Sequence, residues 1–167
     1  MDIRKAEILA LTLIEKHLSN DKFDWQFKFD NAKRRFGQCV YGRKYGKPYH
    51  MIKLSKPLVA LNSEEQVRDT ILHEIAHALD VEQRGYSSHD YKWNAIARSI
   101  GCTGERCYDS NIVEQPKSKY TLICNSCKRE TPAYRKPKRK KACGVCCRKY
   151  NNGKYSEEYV MKVEQNY

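Results

Sequence analysis

The sequence predicts an α+β protein in which helices pack on a small β-sheet, followed by a small β module folded around a metal. Three observations carry this. Apolar residues recur at helical spacing in three stretches, beginning near Ile3, Ser63 and His89. Between the first two lie short runs that alternate apolar and polar, the period of a strand. Near the C-terminus two Cys-x-x-Cys pairs stand at a spacing that suits one metal ion. A chain of 167 residues fits one domain with an appendage, and the division is expected at 1–116 and 117–167.

In chain order, Ile3, Ala6, Ala10, Leu13, Ile14 and Leu18 predict a first helix with one face inward, closed at Asn20-Asp21. His17 is expected at its end and not as a ligand. Trp25-Gln26-Phe27-Lys28-Phe29 predicts a strand. Asn31 to Arg35 reads as a basic turn, whose Lys33, Arg34 and Arg35 either touch phosphates or are simply solvated. Phe36 to Tyr41 reads as a second strand, Gly42 to Pro48 as a turn, and Tyr49 to Leu54 as a third strand leading directly into the next helix. His50, at the start of that strand, is expected to pack or to be exposed. Ser63 and Gln66 form a capping box, with Glu64 and Glu65 in the first turn where the helix dipole favours them. Val67, Ile71, Leu72, Ile75, Ala78 and Leu79 give that helix its apolar stripe. Gly85, Ser87 and Ser88 mark a turn. Ser88 is expected to cap a further helix that starts at His89, buries Trp93, Ile96, Ala97 and Ile100, and stops at Gly101.

The chemistry is concentrated in His73-Glu74-Ile75-Ala76-His77. On a helix the two histidines lie one above the other on one face and can chelate one Zn²⁺ at about 2.0–2.1 Å each. Glu74, beside the first, is placed as a general base that takes a proton from water at the metal. A catalytic zinc wants a third protein ligand and one open position. His89, one turn before Trp93, leads. Asp80, Glu82 and Asp90 are its rivals, with Glu82 too near His77 along the helix to converge easily. The metzincin spacing fails, because its Gly and third His would fall at Asp80 and Gln83.

Cys124-Asn125-Ser126-Cys127 and Cys143-Gly144-Val145-Cys146 form Cys-x₂-Cys-x₁₅-Cys-x₂-Cys, a structural zinc pattern that closes its site with four thiolates at about 2.3 Å. Cys147 could replace Cys146. Tyr120 to Ile123 and Lys149-Tyr150 are expected as short strands of a ribbon that needs its metal to fold. Cys39, Cys102 and Cys107 are expected as small buried thiols. Ile112 to Lys119, with Pro116, reads as the linker.

The formal charge is +12, and residues 117–150 supply twelve cations against one acid, or +11. A positive field on one module suggests a polyanion, most simply nucleic acid. Arg135, Lys136, Lys138, Arg139, Lys140 and Lys141 are placed to neutralise phosphates, and Tyr134 to stack on an unpaired base. The composition, 40% hydrophobic and 31% charged, reads as soluble, with no apolar run near the roughly 18 residues of a membrane span. Met1 to Lys5 opens a helix rather than a signal peptide, and eight cysteines without a secretory signal point to a reducing compartment: the cytoplasm, or the nucleus or host cytosol for a eukaryotic or viral protein. A monomer is the default.

His73 to Ala78, Ser88-His89-Asp90-Tyr91-Lys92-Trp93 and Ala97 to Cys102 together resemble the SprT-like (Spartan-like) metalloprotease family. The likeness extends upstream to Ala32–Cys39 and Ile52–Ser55 and downstream to the Cys-x-x-Cys pairs, so it spans Trp25 to Cys147. One departure stands out: the family often has His-Gly where this chain has His89-Asp90. The resemblance implies a zincin-like core, zinc-dependent peptidase activity, one catalytic and one structural zinc, and, in several members, cleavage of DNA-bound proteins as in crosslink repair. It also implies an edge strand at Met51 to Leu54 that would hold an extended substrate. The sequence assigns no oxyanion donor, although Tyr91 and Tyr108 are near in sequence. A nucleic-acid-binding protein without catalysis is the alternative reading, and Glu74 argues against it.

Overall fold

The computed structural model describes residues 1–18, 23–105 and 113–167. Asn20-Asp21, Cys107, Tyr108 and Ile112 lie outside them. The chain forms two compact units, Met1–Pro116 and Lys117–Tyr167.

The first unit opens with α1, Ile3–His17. Asp2 caps it, its side chain accepting the backbone N–H groups of Arg4 and Lys5 at 3.0 Å each. Ala6, Ala10, Leu13 and Ile14 give it a buried stripe. His17 is half-buried at the helix end, and burial lowers its pKa.

Five strands follow: β1 at Trp25–Asp30, β2 at Gly37–Val40, β3 at Arg43–Lys44, β4 at Lys47–Pro48 and β5 at His50–Ser55. The sheet order is β1-β5-β2, with β1 parallel and β2 antiparallel to β5. The expected turn at 42–48 is instead a two-strand hairpin, because Tyr45 and Gly46 both take positive φ (51° and 77°), as a tight primed turn requires.

Two further expectations are corrected. The third strand does not run into the motif helix: Ser55 ends β5 and caps a short helix, α2, Lys56–Leu61, by accepting the Leu58 N–H at 3.2 Å. The signal was present, since Ser55-Lys56-Pro57 is a helix start with proline in the first turn. Nor are Met51 to Leu54 an edge. β5 is the central strand and pairs on both sides, so its backbone is fully used, and β2 is the edge nearest the motif helix.

That helix, α3, spans Glu64–Arg84. The Ser63–Gln66 capping box starts it, and Gly85, left-handed at φ 79°, ends it. α4, Tyr91–Ser99, packs on α3; its N-cap is Asp90 and not Ser88, because the Asp90 carboxylate accepts both the Lys92 and Trp93 N–H groups. The core gathers Leu54, Leu58, Val67, Ile71, Leu72, Ile75 and Trp93, each no more than 1% exposed. His50 packs against Phe23 and Trp25, with ring centroids 5.0 and 5.1 Å away.

The second unit holds β6, Tyr120–Cys124, β7, Glu130–Ala133, α5, Gly144–Tyr150, and β8, Met161–Gln165, in the sheet order β7-β6-β8. Lys149-Tyr150 is helical, not a strand. Cys143 serves as the N-cap, so the second Cys-x-x-Cys opens directly into α5, and the outer strand comes from the C-terminal residues 161–165. The core is Leu122, Tyr159 and Met161 around buried cysteines, an arrangement consistent with a small zinc ribbon. No helix among the described residues is long and apolar enough to cross a membrane.

Candidate metal centre

His73 and His77 lie one turn apart on α3, and the loop after Gly85 returns His89 to them. Their Nε2 atoms form a triangle: 3.2 Å from His73 to His77, 3.1 Å from His77 to His89 and 3.0 Å from His89 to His73. A tetrahedral ion bonded at about 2.0–2.1 Å sets its ligand nitrogens about 3.3–3.4 Å apart, so these three fit a metal and leave one position open. Burial holds the His73 and His77 imidazoles neutral, lowering their pKa values to about 4 and about 3. Neutral imidazole is the ligating form.

The second nitrogen of each helix histidine is engaged. His77 Nδ1 lies 2.7 Å from Ser87 Oγ, and His73 bonds the Glu105 main chain. Such contacts fix tautomer and ring orientation. Trp93 forms the floor, its ring centroid 4.7, 5.0 and 4.5 Å from those of His73, His77 and His89.

The rival ligands are committed elsewhere. Asp80 is fully buried and receives Arg84 through Nε at 2.6 Å and Nη2 at 2.5 Å. Arg84 also donates to Asp90, at 2.8 Å from Nη1, and Ser88 Oγ lies 2.9 Å from the same carboxylate. Glu82 accepts from Trp25 Nε1 at 2.8 Å. Asp90 therefore anchors the His89 turn to α3.

Glu74 lines the same cleft of about 330 Å³ as the three histidines, together with Arg35, Gly37 and Thr70. It is 7% exposed. Burial raises its pKa to about 8, against the lowering effect of the Cys39 backbone N–H bonded to it and of the Arg35 charge. Arg35 is itself held by Asp30 and Gln38. Gly37 permits this packing: a Cβ there would meet Glu74 Oε1 at 2.6 Å and Thr70 Cγ2 at 2.9 Å. Sequence reasoning passed over Gly37, Ser87 and Arg84. A glycine within a strand is a recognised sign of close approach, and only Gly37 offered a signal of that kind. Tyr91 is 79% exposed and does not line the cleft. Cys39 is half-buried and Cys102 buried, and burial raises both thiols, Cys102 to about 11.

In the second unit Cys124, Cys127, Cys143 and Cys146 converge. Cys124 Sγ lies 3.7 Å from Cys146 Sγ, and Cys127 Sγ 3.7 Å from Cys143 Sγ, close to the roughly 3.8 Å edge of a tetrahedron with bonds of about 2.3 Å. The backbone N–H of Cys146, first among several donors, draws the Cys143 thiol down to about 7, which favours the ligating thiolate. Cys147 is buried in the ribbon core and stands outside the cluster. Of the basic loop, Arg135, Lys136, Lys138, Arg139, Lys140 and Lys141 are exposed and Tyr134 is half-buried.

A mixed α+β unit whose helix carries two histidines of a three-histidine metal group, beside a buried glutamate, fits a metalloprotease-type protein. The comparisons with known proteins sharpen that class. A family model described as the SprT-like family matches residues 9–115, and the chain belongs to that family. Protein SprT-like of Geobacillus kaustophilus (strain HTA426) is 29% identical over 110 residues, covering 63% of this chain and 72% of that protein. No solved structure matches.

Proposed function

We propose that the chain is a zinc-dependent endopeptidase that cleaves proteins held on DNA. The observation that carries the reading is the open triangle of His73, His77 and His89 with Glu74 in the same cleft. When bound there, zinc supplies Lewis acidity, polarising a scissile carbonyl and acidifying water. The remaining work belongs to the chain. Glu74 takes a proton from the attacking water and passes it to the leaving amine. The Cys39 N–H orients the Glu74 carboxylate, and the Arg35 charge favours its ionised form. The edge strand Gly37–Val40 lies beside the site, and an extended peptide can add to it as a further strand. The four cysteines hold a second, structural zinc with no open position. The +11 charge of residues 117–150 supports attachment to DNA.

The test is cleavage of a basic DNA-binding protein, with and without single-stranded DNA, by the wild type and by Glu74→Gln. Cleavage that requires both Glu74 and DNA supports the reading. Equal inertness of the two proteins, with zinc and DNA bound, replaces it with a non-catalytic binding protein.

A further inference from the structure

The charge of the first unit is unevenly placed. Residues 31–63 contain eight Lys and Arg and no Asp or Glu, although residues 1–116 as a whole carry only +2. Part of this cationic segment is the β3–β4 hairpin. At its tip Tyr45 is 94% exposed and sits at φ 51°, a conformation that a tyrosine adopts at a cost in strain. Strain of this kind concentrates at functional positions. Here it holds an aromatic ring out in water. Lys44 Nζ stands 5.7 Å from the centroid of the Tyr45 ring and 5.3 Å from that of Tyr49, so a cation and two rings form one cluster.

The hairpin begins close to the metal centre. Ser87 N–H donates to Tyr41 Oη at 3.4 Å, and Ser87 Oγ bonds the ligand His77. Arg34 and Arg35, from the same cationic segment, line the cleft itself.

We infer that the Arg43–Pro48 hairpin is a docking point for single-stranded nucleic acid, with Tyr45 stacking on an unpaired base and Arg43, Lys44 and Lys47 neutralising phosphates. An exposed ring among cations, with no acid nearby in sequence, is the composition of a stacking platform on a strand-tracking surface. A duplex offers the same phosphates but no free base face, so the ring selects unpaired bases. The site is separate from the ribbon and does not require the peptidase reading. Tyr41, just before the hairpin, meets Ser87 beside the ligand His77, so a strand held there would lie near the metal centre.

The experiment measures fluorescence anisotropy of labelled oligothymidylate and oligouridylate of about 15 nucleotides, and of a duplex of equal length. The protein is the full chain carrying Lys138→Gln, Arg139→Gln, Lys140→Gln and Lys141→Gln, which removes four of the six loop cations of the ribbon. In this background Tyr45→Ala should weaken single-strand binding at least about five-fold. Tyr45→Phe should bind as its parent does, and duplex binding should be unchanged. Arg43→Gln, Lys44→Gln and Lys47→Gln together should reduce the log–log salt slope by about 2, at roughly 0.7 per contact. Oligothymidylate against oligouridylate shows whether DNA or RNA is preferred, and a loss with either supports the site. An unchanged affinity in Tyr45→Ala overturns the proposal, as does an equal loss on duplex. Unchanged nucleic-acid binding with slower cleavage of a protein substrate also overturns it, and makes the hairpin a protein contact. All four side chains are exposed, so a thermal melt equal to that of the parent is expected for every variant.

Discussion

Gly37 and Glu74 are in contact across the strand–helix interface, so closely that a methyl group on Gly37 would lie 2.6 Å from Glu74 Oε1. The edge strand and the carboxylate are thus positioned by each other. Gly37→Ala should move the carboxylate while leaving the histidines in place. Displacement by about 1 Å costs on the order of 100-fold in rate. Steady-state peptide cleavage should show that loss with zinc content unchanged, and an undiminished kcat would show that the contact does not hold the base.

His73→Ala removes one corner of the nitrogen triangle and leaves the four cysteines unchanged. Metal analysis should find one equivalent of zinc lost and one retained. The same zinc content as the wild type would reject the three-histidine assignment.

The two adjacent cysteines of the ribbon should part company. Cys146→Ser removes a converging thiolate and should release the structural zinc and unfold residues 117–167, because little apolar core remains without it. Cys147→Ser should keep the zinc, since its sulfur packs in the core and not in the cluster. Zinc content and amide chemical-shift dispersion read both variants, and identical zinc stoichiometry in the two would overturn the distinction.

Asp90 joins the His89 turn to Arg84, and Arg84 joins it to the buried Asp80. Asp90→Ala should free that turn. Partners that orient a ligand are worth about 10- to 100-fold in metal affinity, so competition with a chromophoric chelator should show a loss of that size at the histidine site alone. A loss confined to the thiolate site, or none, would contradict the anchoring role.

Much of this was legible in the sequence because it is local. The capping box at Ser63 and Gln66, the helical spacing of His73 and His77 and the two cysteine pairs are each contained within a few residues. The return of His89 was readable from its place one turn before Trp93. What was misread depends on contacts between distant segments. Strand periodicity marks Met51 to Leu54 as a strand but carries no information on how many neighbours it has, and the central place of β5 follows from pairing with both Trp25–Asp30 and Gly37–Val40. The outer ribbon strand, Met161–Gln165, was hidden for a similar reason: one of its residues is buried and four are exposed, so its side chains carry no alternation. Asp90 displaced Ser88 as the cap because its carboxylate serves two N–H groups and Arg84 at once.

Trp93 touches all three imidazoles, and the chain contains only one other indole, Trp25 on the distal parallel strand. The histidine site therefore carries its own optical reporter. An open-shell ion such as Co²⁺ seated in the triangle would quench the emission of Trp93, so occupancy of this site could be followed by light in the unlabelled chain.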